Sequence, residues 1–234
     1  MSNRIYIGWD SREDIAYQVA KYSIHHRTQS DIEVYPLKLN MFRELGIITR
    51  ENDAKASTEF TFTRFLVPYL NQYKGWAVFV DCDFLFLADA QELFDLADPT
   101  KAVQVVHHDY TPKPGMKMDG QVQHIYPRKN WSSCILFNCA HPSNRVLDLD
   151  MVNREEPGFL HRFSWLKDEE IGELPYQWNY LEGTYATNDA KAVHYTLGGP
   201  YFKDYQNVDY AQEWLDEFKL YAGREFADSD ILNK

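Results

Sequence analysis

Asp81-Cys82-Asp83 places two carboxylates one residue apart, directly after the apolar run Trp76-Ala77-Val78-Phe79-Val80. Two such charges at the end of a buried strand are costly unless something positive stands between them. Carboxylate oxygens suit Mg2+ or Mn2+, and these ions commonly bridge protein oxygens to those of a diphosphate. The competing reading is an ordinary solvent-facing turn, because Asp is common where strands end. His194 is the second candidate, in Val193-His194-Tyr195-Thr196 just ahead of Gly198-Gly199-Pro200. Its imidazole can complete the coordination of an ion such as Mn2+. With eight His in the chain, a histidine that is merely hydrogen-bonded is the alternative. The neighbouring glycine pair favours a site, since glycines let the backbone approach a phosphate and offer it N–H groups.

These residues need strands to position them. Arg4 to Asp10 reads as a first strand, Asp14 to Arg27 as a helix with Ile15, Val19, Tyr22 and Ile24 at helical spacing, and Ile32 to Leu39 as a second strand. That β-α-β opening predicts a parallel sheet with helices on its faces. Phe60 to Tyr73 is helical in pattern, with Pro68 bending or dividing it. Trp76 to Val80 reads as a central buried strand, and ligands bind at the C-terminal edge of such sheets. Phe84 to Leu87 continues the apolar text, followed by a short helix over Ala90 to Leu96 and a core strand over Ala102 to Val106. His108 to Lys129 is Pro/Gly-punctuated, with a hairpin near Val122 to Tyr126; its part from Tyr110 to Tyr126 is either a lid over the site or an ordinary loop. Trp131 to Phe137 is a strand, Asn144 to Val152 a helix capped by Ser143, Ala192 to Thr196 a late strand, and Tyr210 to Tyr221 a terminal helix. Trp131 and Trp178 are either sugar platforms or core residues.

Composition narrows the function. The 234 residues suffice for one sizeable domain, and 15% of them are aromatic, which suits packing or stacking on bases and sugars. A formal charge of −11 disfavours nucleic acid as a partner, and it means that a diphosphate ligand needs a cationic cluster or a metal. No apolar run reaches the roughly 20 residues of a membrane span, and the N-terminus lacks a signal-peptide pattern. Cys82, Cys134 and Cys139 are too few for a disulfide framework and wrongly spaced for zinc. Buried thiols and a cytoplasmic location are expected.

From Arg4 to about Phe202 the chain resembles glycosyltransferase family 8, in pieces that keep the family's order. They are Ile7-Gly8-Trp9-Asp10, Phe62-Thr63-Arg64-Phe65-Leu66-Val67-Pro68, Asp81-Cys82-Asp83 after its apolar strand, and Trp131 to Asn138. Asp168-Glu169, Leu174 to Asn179 and His194 with its glycines follow. The resemblance implies one domain over residues 1–234 with an α/β fold of GT-A type: a Rossmann-like, mostly parallel sheet, helices on both faces and a small antiparallel appendage. It implies transfer of a sugar, with retention, from a nucleotide-diphosphate sugar, UDP-sugar foremost, to a carbohydrate acceptor. Asp81, Asp83 and His194 would hold Mn2+ or Mg2+. Ile7, Gly8, Trp9, Asp10 and Tyr17 would line the nucleotide pocket, with Arg64, Cys82, Gly198 and Gly199 also contacting the donor. Asp168 and Glu169 would touch the transferred sugar. Two departures stand out: Gly198-Gly199-Pro200-Tyr201-Phe202 lacks the lysine of the family's closing motif, and Asp168-Glu169 replaces its Asp-Gln.

The chemistry of the residues agrees. Glycosyl transfer builds positive charge at the anomeric carbon and negative charge on the departing diphosphate, and an ion at Asp81, Asp83 and His194 would stabilise the latter. Asp168 or Glu169 would stabilise the former or position the acceptor, unless Lys167 to Glu170 is simply a solvated face. A nucleotide-sugar hydrolase or nucleotidyltransferase, and an inactive sugar-nucleotide binder, are the alternatives.

Overall fold

A computed structural model describes residues 2–51, 56–108 and 128–228 of the chain. Strand β1 (Asn3–Gly8) leads through a 3-10 turn at Ser11–Glu13 into helix α1 (Asp14–Arg27) and then β2 (Ile32–Leu37). After α2 (Leu39–Glu44), a 3-10 turn at Thr63–Leu66 continues into α3 (Val67–Leu70), with Pro68 in its first turn. That division is where a proline, lacking an N–H, is tolerated. Next come β3 (Trp76–Val80), β4 (Phe84–Phe86), α4 (Gln91–Phe94), β5 (Val103–Val105) and β6 (Cys134–Asn138). The chain ends with α5 (Leu149–Arg154), α6 (Pro157–His161), β7 (Ile171–Glu173), β8 (Tyr180–Leu181), β9 (Ala192–His194) and α7 (Ala211–Asp228).

Six strands form the central sheet in the order β2-β1-β3-β6-β5-β7. Only β6 is antiparallel to its neighbours; the other pairings are parallel. The C-terminal ends of β1, β3, β5 and β7 therefore share one edge, where open α/β sheets bind ligands. Ala77 to Val80 and Cys134 to Phe137 are fully buried, as continuous apolar strands are when both sheet faces are covered. The three Cys are buried free thiols.

The smaller sheet, β4-β9-β8, is mixed rather than wholly antiparallel: β4 opposes β9, while β8 runs with it. The connection from Glu182 to Lys191 carries the chain back so that β9 repeats the direction of β8. Leu85, Val193, Tyr195, Val19 and Trp214 form a second core that packs this sheet against α1 and α7.

Two local expectations are corrected. Trp131–Ser133 is a 3-10 turn, entered through Asn130 at φ 64°, and the strand begins only at Cys134. Asn144 to Val152 is not one helix: a 3-10 turn at Pro142–Val146 ends at Leu147, and α5 starts afresh. Its cap is Asp148, which accepts from the Met151 N–H at 2.8 Å, while the Ser143 hydroxyl bonds Glu170 instead. The loop from Tyr110 to Tyr126, with its expected hairpin at Val122 to Tyr126, lies outside the described residues. Among the described residues, no helix is long and apolar enough to cross a membrane.

Candidate functional site

Asp81 follows β3 at the ligand-binding edge, and its N–H donates to the Ser133 carbonyl at 3.0 Å, which ties it to the approach of β6. His194 arrives from a distant part of the chain because β9 pairs with β4, setting it opposite Phe84. The Phe84 and His194 rings stack with centroids 4.7 Å apart, and the Tyr195 N–H donates to the Asp83 carbonyl at 3.1 Å. As a result, one ligand atom from each of Asp81, Asp83 and His194 lies within 4.8 Å of the other two. That approaches the ~4.2 Å spanned by two metal–ligand bonds of ~2.1 Å.

The imidazole is also in the tautomer a ligand requires. Its Nδ1 lies 2.9 Å from Asn179 Oδ1. The Asn179 amide cannot be the other way round, because its Nδ2 donates to Ser133 Oγ at 2.9 Å and to the Asn130 carbonyl at 3.3 Å. Oδ1 is therefore the acceptor, Nδ1 carries the proton, and the lone pair of Nε2 is directed toward Asp83 Oδ1, 3.5 Å away. An outer residue fixing a ligand histidine in this way is a regular feature of metal sites. The donor set therefore fits a divalent ion.

The triad opens into a cleft that is continuous with solvent. Arg64, only 4% exposed, reaches up from the turn before α3. Its Nη1 donates to Asp81 Oδ1 and to the Ser132 carbonyl, both at 2.7 Å, and its guanidinium lies over the Phe79 and Phe60 rings. Arg12 lines the cleft too, its Nη2 2.7 Å from Asp10 Oδ2. Glu13, buried, also lines the cleft, with Tyr201 Oη donating to its Oε2 at 2.7 Å. Burial, and then the charge of Asp83, pushes the Glu13 carboxyl up to about 8. His161 forms part of the wall, donating from Nε2 to the Thr61 carbonyl at 3.1 Å and accepting at Nδ1 from Ser132 Oγ at 2.7 Å.

Asp81, Cys82, Asp83, His194 and Arg64 thus come together, though the Cys82 side chain is buried. The remaining residues named from sequence do not line this cleft. Ile7 is fully buried in the core and Tyr17 nearly so. Gly8 is where the Phe60 ring presses on β1, and a Cβ there would overlap the ring. Trp9 donates to Asp14 Oδ1 at 2.7 Å and carries Lys38 over its ring. Asp10 is completely buried and accepts from Arg12 and from the Glu59 N–H at 3.2 Å. Burial opposes ionisation of Asp10, but these bonds outweigh it and hold the carboxyl below its usual range. Gly198 and Gly199 lie against the Tyr205 and Tyr201 rings, with Gly198 at φ 140°. Asp168 and Glu169 precede β7, whereas Asp81 and Asp83 follow β3. The Asp168 side chain is 87% exposed and pairs with Arg128 at 2.5 Å, while Glu169 is exposed. Of the two candidate platforms, Trp178 is buried core, packed near Phe86 and Lys191.

Sequence reasoning missed Asn179, Glu13 and His161. Asn179 stands within a quoted motif, but only the fold shows that its amide meets His194. Glu13 follows the first strand closely, and nothing in its text marks it as buried.

No protein-family model matches the chain. It is 51% identical over 224 residues to Protein CDI of Arabidopsis thaliana, covering 93% of this chain and 86% of that protein. Among solved structures it resembles the bifunctional glycosyltransferase WbbM, with a TM-score of 0.65 at 16% identity over 93% of this chain. It also resembles the glycosyltransferase GlyE of Streptococcus pneumoniae, at 0.63 and 12% over 98%. It covers 49% of the former and 64% of the latter, so it spans about half to two thirds of those chains. A galactosyltransferase, LgtC, solved with donor and acceptor sugar analogues, matches at 0.54 and 10% identity, over 92% of this chain and 95% of that one. At these identities the likeness establishes the fold, which is of GT-A type.

Proposed function

The chain belongs to the family of Protein CDI of Arabidopsis thaliana, and on that premise we propose that it is a metal-dependent glycosyltransferase. In this reading it takes a nucleotide-diphosphate sugar, UDP-sugar foremost, and passes the sugar to a carbohydrate acceptor. The observation that carries the proposal is the convergence of Asp81, Asp83 and His194 at the ligand-binding edge of the sheet, with Nδ1 of the imidazole held by Asn179 so that Nε2 is the atom turned to the aspartates.

These three side chains would hold Mn2+ or Mg2+, which when bound offsets the charge of a departing diphosphate as a Lewis acid. The protein's own residues do the positioning. Arg64 fixes one oxygen of Asp81 and adds positive charge to the cleft, and Arg12, which also lines it, adds more. Both favour an anion in a cleft that otherwise presents carboxylates. The Cys82 backbone lies between the two aspartates and is available to the ribose. The membership of family 8, the single domain over residues 1–234 and the retention of anomeric configuration belong to the same proposal and are motivated by the motif order. Asp168 and Glu169 remain part of it only if donor binding brings their turn to the sugar.

Calorimetry with UDP in the presence and absence of Mn2+ tests the proposal. The wild-type chain is expected to bind UDP only with the metal, and Asp83→Ala to weaken that binding at least tenfold without lowering the melting temperature. Equal affinity in the two proteins would remove the reading. Incubation with UDP-sugars then separates the reaction classes: a transferase releases UDP only when acceptor is present, and a hydrolase releases it without.

A further inference from the structure

Retention at an anomeric carbon is reached by two successive inversions when the protein supplies a nucleophile for the first. Asp168 and Glu169 are exposed and do not line the cleft, and Asp81 and Asp83 belong to the metal triad. Glu13 has its Oε2 taken by the Tyr201 hydroxyl. Hydroxyls lining the cleft are the other candidates. Ser133 Oγ donates to the Asn130 carbonyl at 2.6 Å, and Thr61 Oγ1 to the Thr58 carbonyl at 2.8 Å. A carbonyl takes no proton from either. Ser132 differs, because its hydroxyl donates to an imidazole.

Ser132 is 4% exposed and lines the cleft together with His161, Arg64 and Asp81. Its Oγ lies 2.7 Å from His161 Nδ1. That nitrogen accepts because the Nε2 hydrogen is given to the Thr61 carbonyl at 3.1 Å, while the Phe65 ring meets the imidazole edge-on at 5.1 Å. A hydroxyl on an imidazole whose far N–H is oriented by a third group is the arrangement of an activated nucleophile. The turn that carries Ser132 is held on several sides. Arg64 Nη1 donates to the Ser132 carbonyl and to Asp81 Oδ1, both at 2.7 Å, which ties the serine to the metal triad. The Ser133 carbonyl accepts from the Asp81 N–H at 3.0 Å. The Trp131 ring lies flat on His107, with centroids 4.1 Å apart, and Arg128 also lies over it, so Trp131 anchors the turn rather than offering an open platform.

We infer that Ser132, with His161 as its base, is the nucleophile of a double displacement. The inference rests on the transferase reading and deepens it by assigning how the configuration is kept. In the first step Ser132 Oγ bonds to the anomeric carbon as the bond from that carbon to the diphosphate oxygen breaks. The electron pair leaves with the diphosphate, and the serine proton passes to His161 Nδ1. In the second step the acceptor oxygen bonds to the same carbon from the side that the diphosphate left. The bond to Oγ breaks, Oγ takes its proton back from Nδ1, and the acceptor's proton goes to the diphosphate. Burial, and then the charge of Arg64, push His161 down to about 3. A serine oxygen bonded to carbon sheds its proton even to so weak a base, and the imidazolium formed returns it readily when Oγ must leave.

The test needs no knowledge of the acceptor. Calorimetry with Mn2+ selects the most tightly bound member of a panel of UDP-hexoses. The wild-type chain is then incubated with that donor, and with its 2-deoxy-2-fluoro analogue to slow the second step. Acid-quenched digests go to mass spectrometry. One hexosyl mass is expected on the peptide that holds Ser132, with release of a single equivalent of UDP. Ser132→Ala should lose the adduct and keep UDP affinity within about threefold. Azide should then enter in place of the serine and give a glycosyl azide of inverted configuration. His161→Gln, which keeps the bond to the Thr61 carbonyl, should form the adduct at least tenfold more slowly with UDP affinity unchanged. A serine that only supports the turn would produce neither adduct nor azide product. A wild type that binds the donor but carries no adduct, or carries it on another residue, overturns the inference and leaves the transferase reading standing. A wild type that binds no UDP with Mn2+ overturns both.

Discussion

Asn179 illustrates how much of a metal site lies outside its ligands. Its amide is fixed by three hydrogen bonds, and it imposes on His194 the tautomer that leaves Nε2 open. Losing such a partner commonly costs 10–100-fold in metal affinity. Asn179→Leu is therefore expected to weaken Mn2+ binding by at least tenfold, read by calorimetry or by the loss of free Mn2+ signal in electron paramagnetic resonance. Asn179→Asp still accepts from Nδ1 and should keep most of the affinity. Equal weakening in both variants would mean that the residue acts through packing and not through the proton it holds. The Asn130 carbonyl belongs to this network as well, accepting from the Asn179 amide.

At the level of elements, the junction between β1 and the turn before α3 depends on Gly8. The Phe60 ring occupies the space where a Cβ would project, and that ring in turn lies under the Arg64 guanidinium. Gly8→Ala must displace the ring, and overpacking of this kind costs about 1–3 kcal/mol. Urea unfolding should show that loss, and a second substitution, Phe60→Leu, should restore part of it by making room. No recovery in the double variant would place the cost in the backbone of β1. The pairing of β4 with β9 is the other decisive element contact, because it sets His194 opposite Phe84, next to Asp83.

Across the whole molecule, buried titratable groups set the response to acid. Burial lowers His108 and His161 to about 3 each, against about 6.5 in an unfolded chain. Between those values the unfolded chain takes up protons that the folded one refuses, so stability falls as pH falls, by about 1.4 kcal/mol per pH unit for each group. Glu13, raised to about 8, works in the opposite direction above about 4.5. For these three groups, two imidazoles against one carboxyl leave the unfolded chain holding roughly one proton more than the folded one between pH 6.5 and 4.5, and the lowered His25 and His107 act in the same direction. The melting temperature should drop through that range, and His161→Gln, which keeps the bond to the Thr61 carbonyl, should flatten the drop. A melting temperature that holds steady or climbs on acidification would contradict this account.

The sequence by itself determined α1 to the residue, the central strand β3, the alternation of strands and helices and the paired carboxylates at a strand end. Each of these is written in neighbouring residues through hydrophobic period and turn chemistry. It also singled out Asp81, Asp83, Arg64 and His194. Only the tertiary structure decided the rest, because pairing across the chain is not encoded in any local period. It showed that His194 meets Asp83 through a two-strand ladder, and that Asn179, 15 residues away in sequence, sets its proton. It showed too that Gly8, Gly198 and Gly199 make room for aromatic rings, and that the exposed pair Asp168 and Glu169 stands outside the cleft. Residue type announces what chemistry is possible, but burial and distance, which are properties of the folded chain, select the groups placed to perform it.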